Sequence, residues 1–120
     1  MTSLKEAYDA LRAYGLDLPE AVEEMPWGHS ALKVRGRSFV FLNLEEDRLS
    51  LSMKLPVSRD FALIFDFTEP TGYGLGRSGW VTSSFAKGDE IDLDLMKRWI
   101  VESYRAFAPK KLSKLLPAED

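Results

Sequence analysis

The chain reads as an α+β protein: a two-layer fold in which a five-stranded antiparallel sheet packs with helices in the order α-β-β-β-α-β-β-α. Two observations predict it. Apolar residues recur at helical spacing near both ends of the chain, and between them the period shifts to two over consecutive runs separated by turn residues. At 120 residues with 45% hydrophobic content the chain fits one domain, residues 1–120, with no repeat or low-complexity tract.

The first helix starts at Ser3-Leu4-Lys5-Glu6, a Ser-x-x-Glu capping box in which side chain and backbone satisfy each other's orphan donors. Leu4, Ala7, Tyr8 and Leu11 supply its apolar stripe, and Gly15 is the expected stop. An acidic linker, Asp17 to Glu24, follows, fenced by Pro19 and Pro26. From Ala31 the pattern is that of strands. Ser38 to Leu44 is rich in strand formers, and Leu49, Leu51, Met53 and Leu55 alternate with Ser50, Ser52 and Lys54. Arg35-Gly36-Arg37 reads as a hairpin corner in which Gly36 can take positive φ, and Glu45-Glu46-Asp47 as the acidic tip of the next hairpin. Ser58 is expected to cap a short helix with Phe61, Ile64 and Phe65 facing the core. After a glycine-rich stretch, Trp80 to Phe85 is the last long strand, with a brief partner expected around Tyr73 to Leu75. The closing helix runs from about Asp92, its N-cap, through Leu93, Met96, Ile100, Tyr104 and Phe107, until Pro109 interrupts it.

Composition excludes several chemistries. There are no cysteines and one histidine, so disulfides, thiolate catalysis, cysteine-based zinc or iron–sulfur sites and histidine-rich metal sites are excluded, and no cofactor is expected. No apolar run approaches the ~20 residues of a membrane helix, and the amphipathic N-terminus is unlike a targeting peptide; no membrane association and a cytoplasmic location are the expectation. Net charge is −3, from 16 basic and 19 acidic residues, which argues against a wholly electrostatic nucleic-acid binder. Residues 31–60 nevertheless hold six basic against four acidic side chains, concentrating positive charge among the strands.

Catalytic motifs fail on context. Gly74-Leu-Gly76-Arg-Ser-Gly79 matches GxGxxG, but a dinucleotide fingerprint must open a helix, and here a strand follows. Val81 extends the match to a kinase glycine loop, yet the chain is too short for the remaining kinase machinery. Gly76-Arg-Ser78-Gly79 is one residue short of the nucleophile elbow GxSxG. A structural glycine turn is the reading that remains, with a backbone anion nest beside Arg77 as the alternative. Asp89, Glu90, Asp92 and Asp94 lack the glycine and terminal glutamate of a calcium loop, so they read as negative charge at a helix start. His29 has no nominated partner for acid–base work, and a non-enzymatic protein is expected. Trp80 and Trp99 belong to core stripes, which leaves Trp27, with His29, in a Pro-Gly turn as the possible recognition residues. A small-molecule pocket near Trp27, His29 and Trp80 is a further option that no pattern selects.

One ordered set of landmarks is more specific: an N-terminal helix, Pro26-Trp27-Gly28-His29, Lys33-Val34-x-Gly36-Arg37-x-Phe39, a strand ending Lys54-Leu55-Pro56, Gly79-Trp80-Val81, and Glu102-Ser103-Tyr104 on a helix. Together these resemble the MmcQ/YjbR family over nearly the whole chain. The resemblance implies a two-layer α+β domain of the secretion-chaperone-like type, and DNA binding through an arrangement likened to a double wing, without any defined reaction. It places the phosphate contacts at Lys33, Arg35 and Arg37 of the basic corner, with Lys54 and Arg77 beside it. The expectation is low-specificity binding to DNA backbone phosphates; a chaperone-like protein-interaction module, with a protein partner, is the alternative. Oligomeric state, monomer or homodimer, is left open.

Overall fold

In the computed structural model, which describes residues 2–24, 30–72 and 74–116, six antiparallel strands form one sheet against a layer of helices. Along the chain run α1 (Leu4–Leu16), β1 (Val22–Glu24), β2 (Ser30–Val34), β3 (Arg37–Leu44), β4 (Arg48–Lys54), α2 (Arg59–Ala62), β5 (Thr68–Pro70), a 3-10 turn (Leu75–Ser78), β6 (Trp80–Ala86), α3 (Leu93–Phe107) and α4 (Lys110–Ser113). The strand order across the sheet is β1-β2-β3-β4-β6-β5.

The α+β class and the antiparallel sheet follow the sequence expectation; the strand count is six rather than five. The extra strand is β1, inside the stretch read as an acidic linker. Its sequence, Val-Glu-Glu, carries no strand pattern, and it is held by pairing with Lys33, Leu32 and Ala31 of β2 and by ion pairs described below. The brief partner of β6 is also displaced. Thr68–Pro70, not Tyr73 to Leu75, pairs with Ser83, Thr82 and Val81. Tyr73 lies outside the described residues, and Leu75 opens the 3-10 turn. Gly74 and Gly79 bracket that turn at φ +79° and +92°, and Gly76 packs so closely that a Cβ would sit 2.8 Å from Pro70 Cβ.

The capping box at Ser3 and Glu6 is present, with the Glu6 amide donating to Ser3 Oγ at 3.0 Å and the Ser3 amide to Glu6 Oε1 at 3.1 Å. Gly15 does not stop the helix; α1 continues through Leu16. The glycine is there for packing, since a Cβ would stand 2.5 Å from Leu32 Cδ1. Asp92 caps α3 by accepting from the Leu95 amide at 3.0 Å.

Register places Val40 and Leu42 of β3, Leu49, Leu51 and Met53 of β4, and Val81 and Phe85 of β6 on one face, all buried. Leu4, Ala7 and Leu11 of α1 and Met96, Trp99, Ile100 and Tyr104 of α3 complete this core. The opposite face carries Phe41, Asn43, Ser50, Ser52, Lys54, Trp80, Thr82 and Ser84. Its hydroxyls pair across strands, Ser52 with Thr82 at 2.8 Å and Thr82 with Thr71 at 2.9 Å.

The helix near Ser58 differs most from expectation. Ser58 makes no side-chain cap; instead the Glu102 carboxylate of α3 accepts from the Val57 and Ser58 amides, each at 2.9 Å, and from Ser58 Oγ at 2.6 Å. Pinned this way, the four-residue α2 turns Ala62 inward, while Phe61 and Ile64 are 55% and 78% exposed. Phe65 alone of the expected trio packs inward, 6.1 Å from Trp99 between ring centroids.

Candidate nucleic-acid interface at the basic end of the sheet

A break in regular pairing builds the site. Between β2 and β3 the register skips Phe39: Leu32 pairs with Val40, but Lys33 pairs with Ser38. Between β3 and β4 the last paired residues are Val40 and Met53. Phe39 is therefore an extra residue in β3, a bulge that lets Phe39 and its neighbour Val40 both be buried. The Phe39 ring meets Tyr104 edge-on, with centroids 5.3 Å apart.

The bulge leaves backbone groups of β3 and β4 without ladder partners at this point, and Ser103 of α3 supplies them. Its hydroxyl donates to the Phe39 carbonyl at 2.5 Å and accepts from the Lys54 amide at 2.8 Å, in a fully buried position. One serine thus bridges two strands and fastens the last turn of α3 to the end of the sheet.

One turn on from Ser103, Phe107 reaches the face that bears Lys54 and Trp80. Its ring lies 5.9 Å from Trp80, which in turn lies 5.5 Å from Phe41. Arg37 and Lys54 both stand over the Phe107 ring, at 5.2 and 5.4 Å from its centroid. Cation–π contacts of this kind contribute about 0.5–1 kcal/mol at exposed sites, enough to orient the two cations without neutralising them. Neither forms an ion pair with a carboxylate among the described residues. Arg77, exposed and likewise without such a pair, lies three residues before Trp80, the partner of Lys54 in the ladder.

The five sequence-marked cations therefore divide. Arg37, Lys54 and Arg77 share the end of the sheet where β2 turns into β3 and β4 stops. Lys33 and Arg35 are held by carboxylates from the segment before and within β1: Lys33 Nζ lies 2.9 Å from Glu24 Oε2, and Arg35 makes a two-pronged pair with Glu20 at 2.7 and 3.1 Å. The Arg35–Gly36 corner is a turn with both residues at positive φ, +51° and +80°, as a two-residue hairpin requires. Trp27 and His29, the possible recognition turn, lie outside the described residues.

Charge is polarised along β4. At the Arg48 end sit the acidic tip Glu45 to Asp47 and a shallow cleft of about 320 Å³ lined by Asp66, Glu69 and Asp89 among others. Lys54 is six residues further on, ~20 Å at strand rise. That exceeds the ~8 Å screening length at physiological ionic strength, so the acidic end does not cancel the field of the basic end. Among the described residues no group of three or more acidic or histidine side chains is placed to hold a metal, and no helix is long and apolar enough to cross a membrane.

Sequence reading found the cations but not Phe107 as the ring beneath two of them, nor Ser103 as the residue that brings it there. Phe107 appeared only as the last member of an apolar stripe, and the Glu-Ser-Tyr triplet only as a family landmark.

No curated protein matches the chain. A family model described as YjbR matches residues 16–106, a span from the end of α1 to the last turn of α3 that includes every strand and all five marked cations and stops one residue before Phe107. The chain belongs to the YjbR family.

Proposed function

We infer that this protein is a non-enzymatic nucleic-acid-binding domain that contacts the phosphate backbone of DNA, with little sequence preference, through the basic end of the sheet. The observation that supports this most is the pair Arg37 and Lys54, both oriented on Phe107 and neither engaged by a carboxylate among the described residues. Two cations held at a fixed spacing, with Arg77 at the same end, are suited to successive phosphates. They offer no built pocket that would read a base. The small number of cations keeps the affinity modest and limits the salt dependence to about one unit of slope per phosphate contacted. The test is a salt titration of duplex DNA binding by fluorescence anisotropy. Arg37→Gln and Lys54→Gln should each weaken binding on unrelated sequences alike and reduce the slope of log K against log salt by about one. Absence of binding at low salt, or loss of binding on one sequence only, would refute this reading.

A second reading rests on a different surface. Val57, Phe61 and Ile64 are 87%, 55% and 78% exposed and recur at i, i+4 and i+7, an apolar stripe held rigidly by the Glu102 clamp. A stripe of this kind suits a protein-interaction module, here one that associates with a second copy of itself. Sedimentation of the wild type and of Ile64→Asp decides it. A concentration-dependent dimer abolished by the substitution supports the module, and a wild type that stays monomeric at high concentration removes it.

A further inference from the structure

Glu20 and Glu24 occupy the two sequence-marked cations that the basic corner does not use. Glu20 takes the Arg35 guanidinium with both carboxylate oxygens, and Glu24 takes Lys33. Among the described residues, Glu20 and Arg35 are the only non-glycine residues at positive φ, +60° and +51°, a region that a side chain disfavours. Each is turned toward the other.

The segment carrying these acids is anchored independently of the two pairs. Leu18 is buried, Tyr104 donates its hydroxyl to the Pro19 carbonyl at 2.7 Å, Glu23 is clamped by Arg12 of α1, and β1 pairs with β2. The Glu20 and Glu24 side chains themselves are 51% and 58% exposed. They can swing into solvent while the backbone stays in place, and with Arg35 48% and Lys33 23% exposed a polyanion offering several phosphates can compete for both cations.

We propose that Glu20 and Glu24 are internal phosphate mimics that mask Arg35 and Lys33, so that a nucleic acid first engages Arg37 and Lys54 and extends its contact only by displacing them. The proposal rests on the nucleic-acid reading for its ligand. Masking itself concerns any polyanion. It lowers affinity for short or weakly charged ligands and leaves a second step available to an extended phosphate backbone, because Arg35 and Arg37 flank a single glycine.

The test compares two variants with equal change of charge: Glu20→Gln with Glu24→Gln, and Glu46→Gln with Asp47→Asn at the far hairpin tip. On duplex DNA the first should bind roughly ten-fold tighter than wild type at low salt. Its slope of log K against log salt should steepen by up to about 1.8, two phosphates at about 0.9 each, the full value applying where duplex DNA leaves Arg35 and Lys33 masked in wild type. The tip variant should keep the wild-type slope. Adding Lys33→Gln and Arg35→Gln to the first variant should restore that slope, and equal behaviour of the two charge variants would overturn masking. If no form binds DNA, the nucleic-acid reading fails, and elution from immobilised heparin still decides masking: the first variant must elute at higher salt than the tip variant, and co-elution overturns it. In the wild-type chain, which avoids any folding defect, the Arg35 Nε–H resonance should shift on addition of heparin. A resonance unmoved at saturation also overturns the proposal.

Discussion

Replacing Ser103 by alanine removes one hydroxyl and strands two backbone groups. The Lys54 amide loses its acceptor at 2.8 Å and the Phe39 carbonyl its donor at 2.5 Å, and because Phe39 is bulged out of both of its ladders the gap between β3 and β4 offers neither a replacement. Ser103 is fully buried, and the space vacated is that of one oxygen atom, at the lower limit of what a water needs. Each unsatisfied buried group costs about 1–3 kcal/mol, so with two of them the variant should lose about 2–6 kcal/mol, a large share of the ~5–15 kcal/mol that a domain has. Urea unfolding reads this directly. With a slope of ~2 kcal/mol per M, the midpoint should fall by about 1–3 M. Ser52→Ala, a half-buried serine that hydrogen-bonds another side chain on the opposite face, is the matched control and should cost under about 1 kcal/mol. Loosening the last turn of α3 should also shift Trp80 fluorescence, because Phe107 lies against Trp80. A Ser103→Ala midpoint within 0.3 M of wild type, on the order of the control's effect, would refute the view that this serine closes the gap between β3 and β4.

Three other substitutions test separate parts of the structure. Glu102→Ala should cost about 1–2 kcal/mol, the scale of a lost helix cap, whereas Ser58→Ala should cost less, since the carboxylate and not the serine holds the start of α2; thermal unfolding of both, with the order reversed, would contradict the assignment. Ser83→Ala should raise stability by up to about 1 kcal/mol in urea unfolding, because its buried hydroxyl has no hydrogen-bond partner among the described residues and its neighbours form the core; a loss would mean the hydroxyl is satisfied in solution. The Arg12 guanidinium holds the Glu23 carboxyl below the usual carboxylate range. A depressed folded-state pKa contributes stability that is present above the unfolded value of about 4.5 and is lost as pH falls through the folded value. Wild type should therefore exceed Glu23→Gln at neutral pH, and the gap should close in acid; a gap independent of pH would exclude this linkage.

Legibility followed the range of the interactions involved. The capping box at Ser3, the cap at Asp92, the Arg35–Gly36 corner and the alternation of Leu49, Leu51 and Met53 are settled within a few residues, and each stands where the sequence puts it. Phe61 and Ile64 defeated the periodicity argument because the orientation of α2 is imposed by Glu102, some 40 residues downstream. β1 was illegible for a related reason: glutamates carry no strand signal, and this strand exists because Lys33 and Arg12 across the fold supply counter-charges.

The basic corner shows the same division within one site. Arg35, Arg37 and Lys54 were visible as charges at strand ends, yet sequence treated them as one patch. What separates them is a carboxylate 15 residues before Arg35 and a phenylalanine 70 residues after Arg37, both brought in by the fold. A cation over an aromatic ring keeps its charge available to an outside anion, and one gripped by a carboxylate does not until that carboxylate is displaced. The functional distinction among these residues therefore lies in their tertiary partners, so substitution at Arg37 and at Arg35 should separate in its effect on binding although the two flank the same glycine.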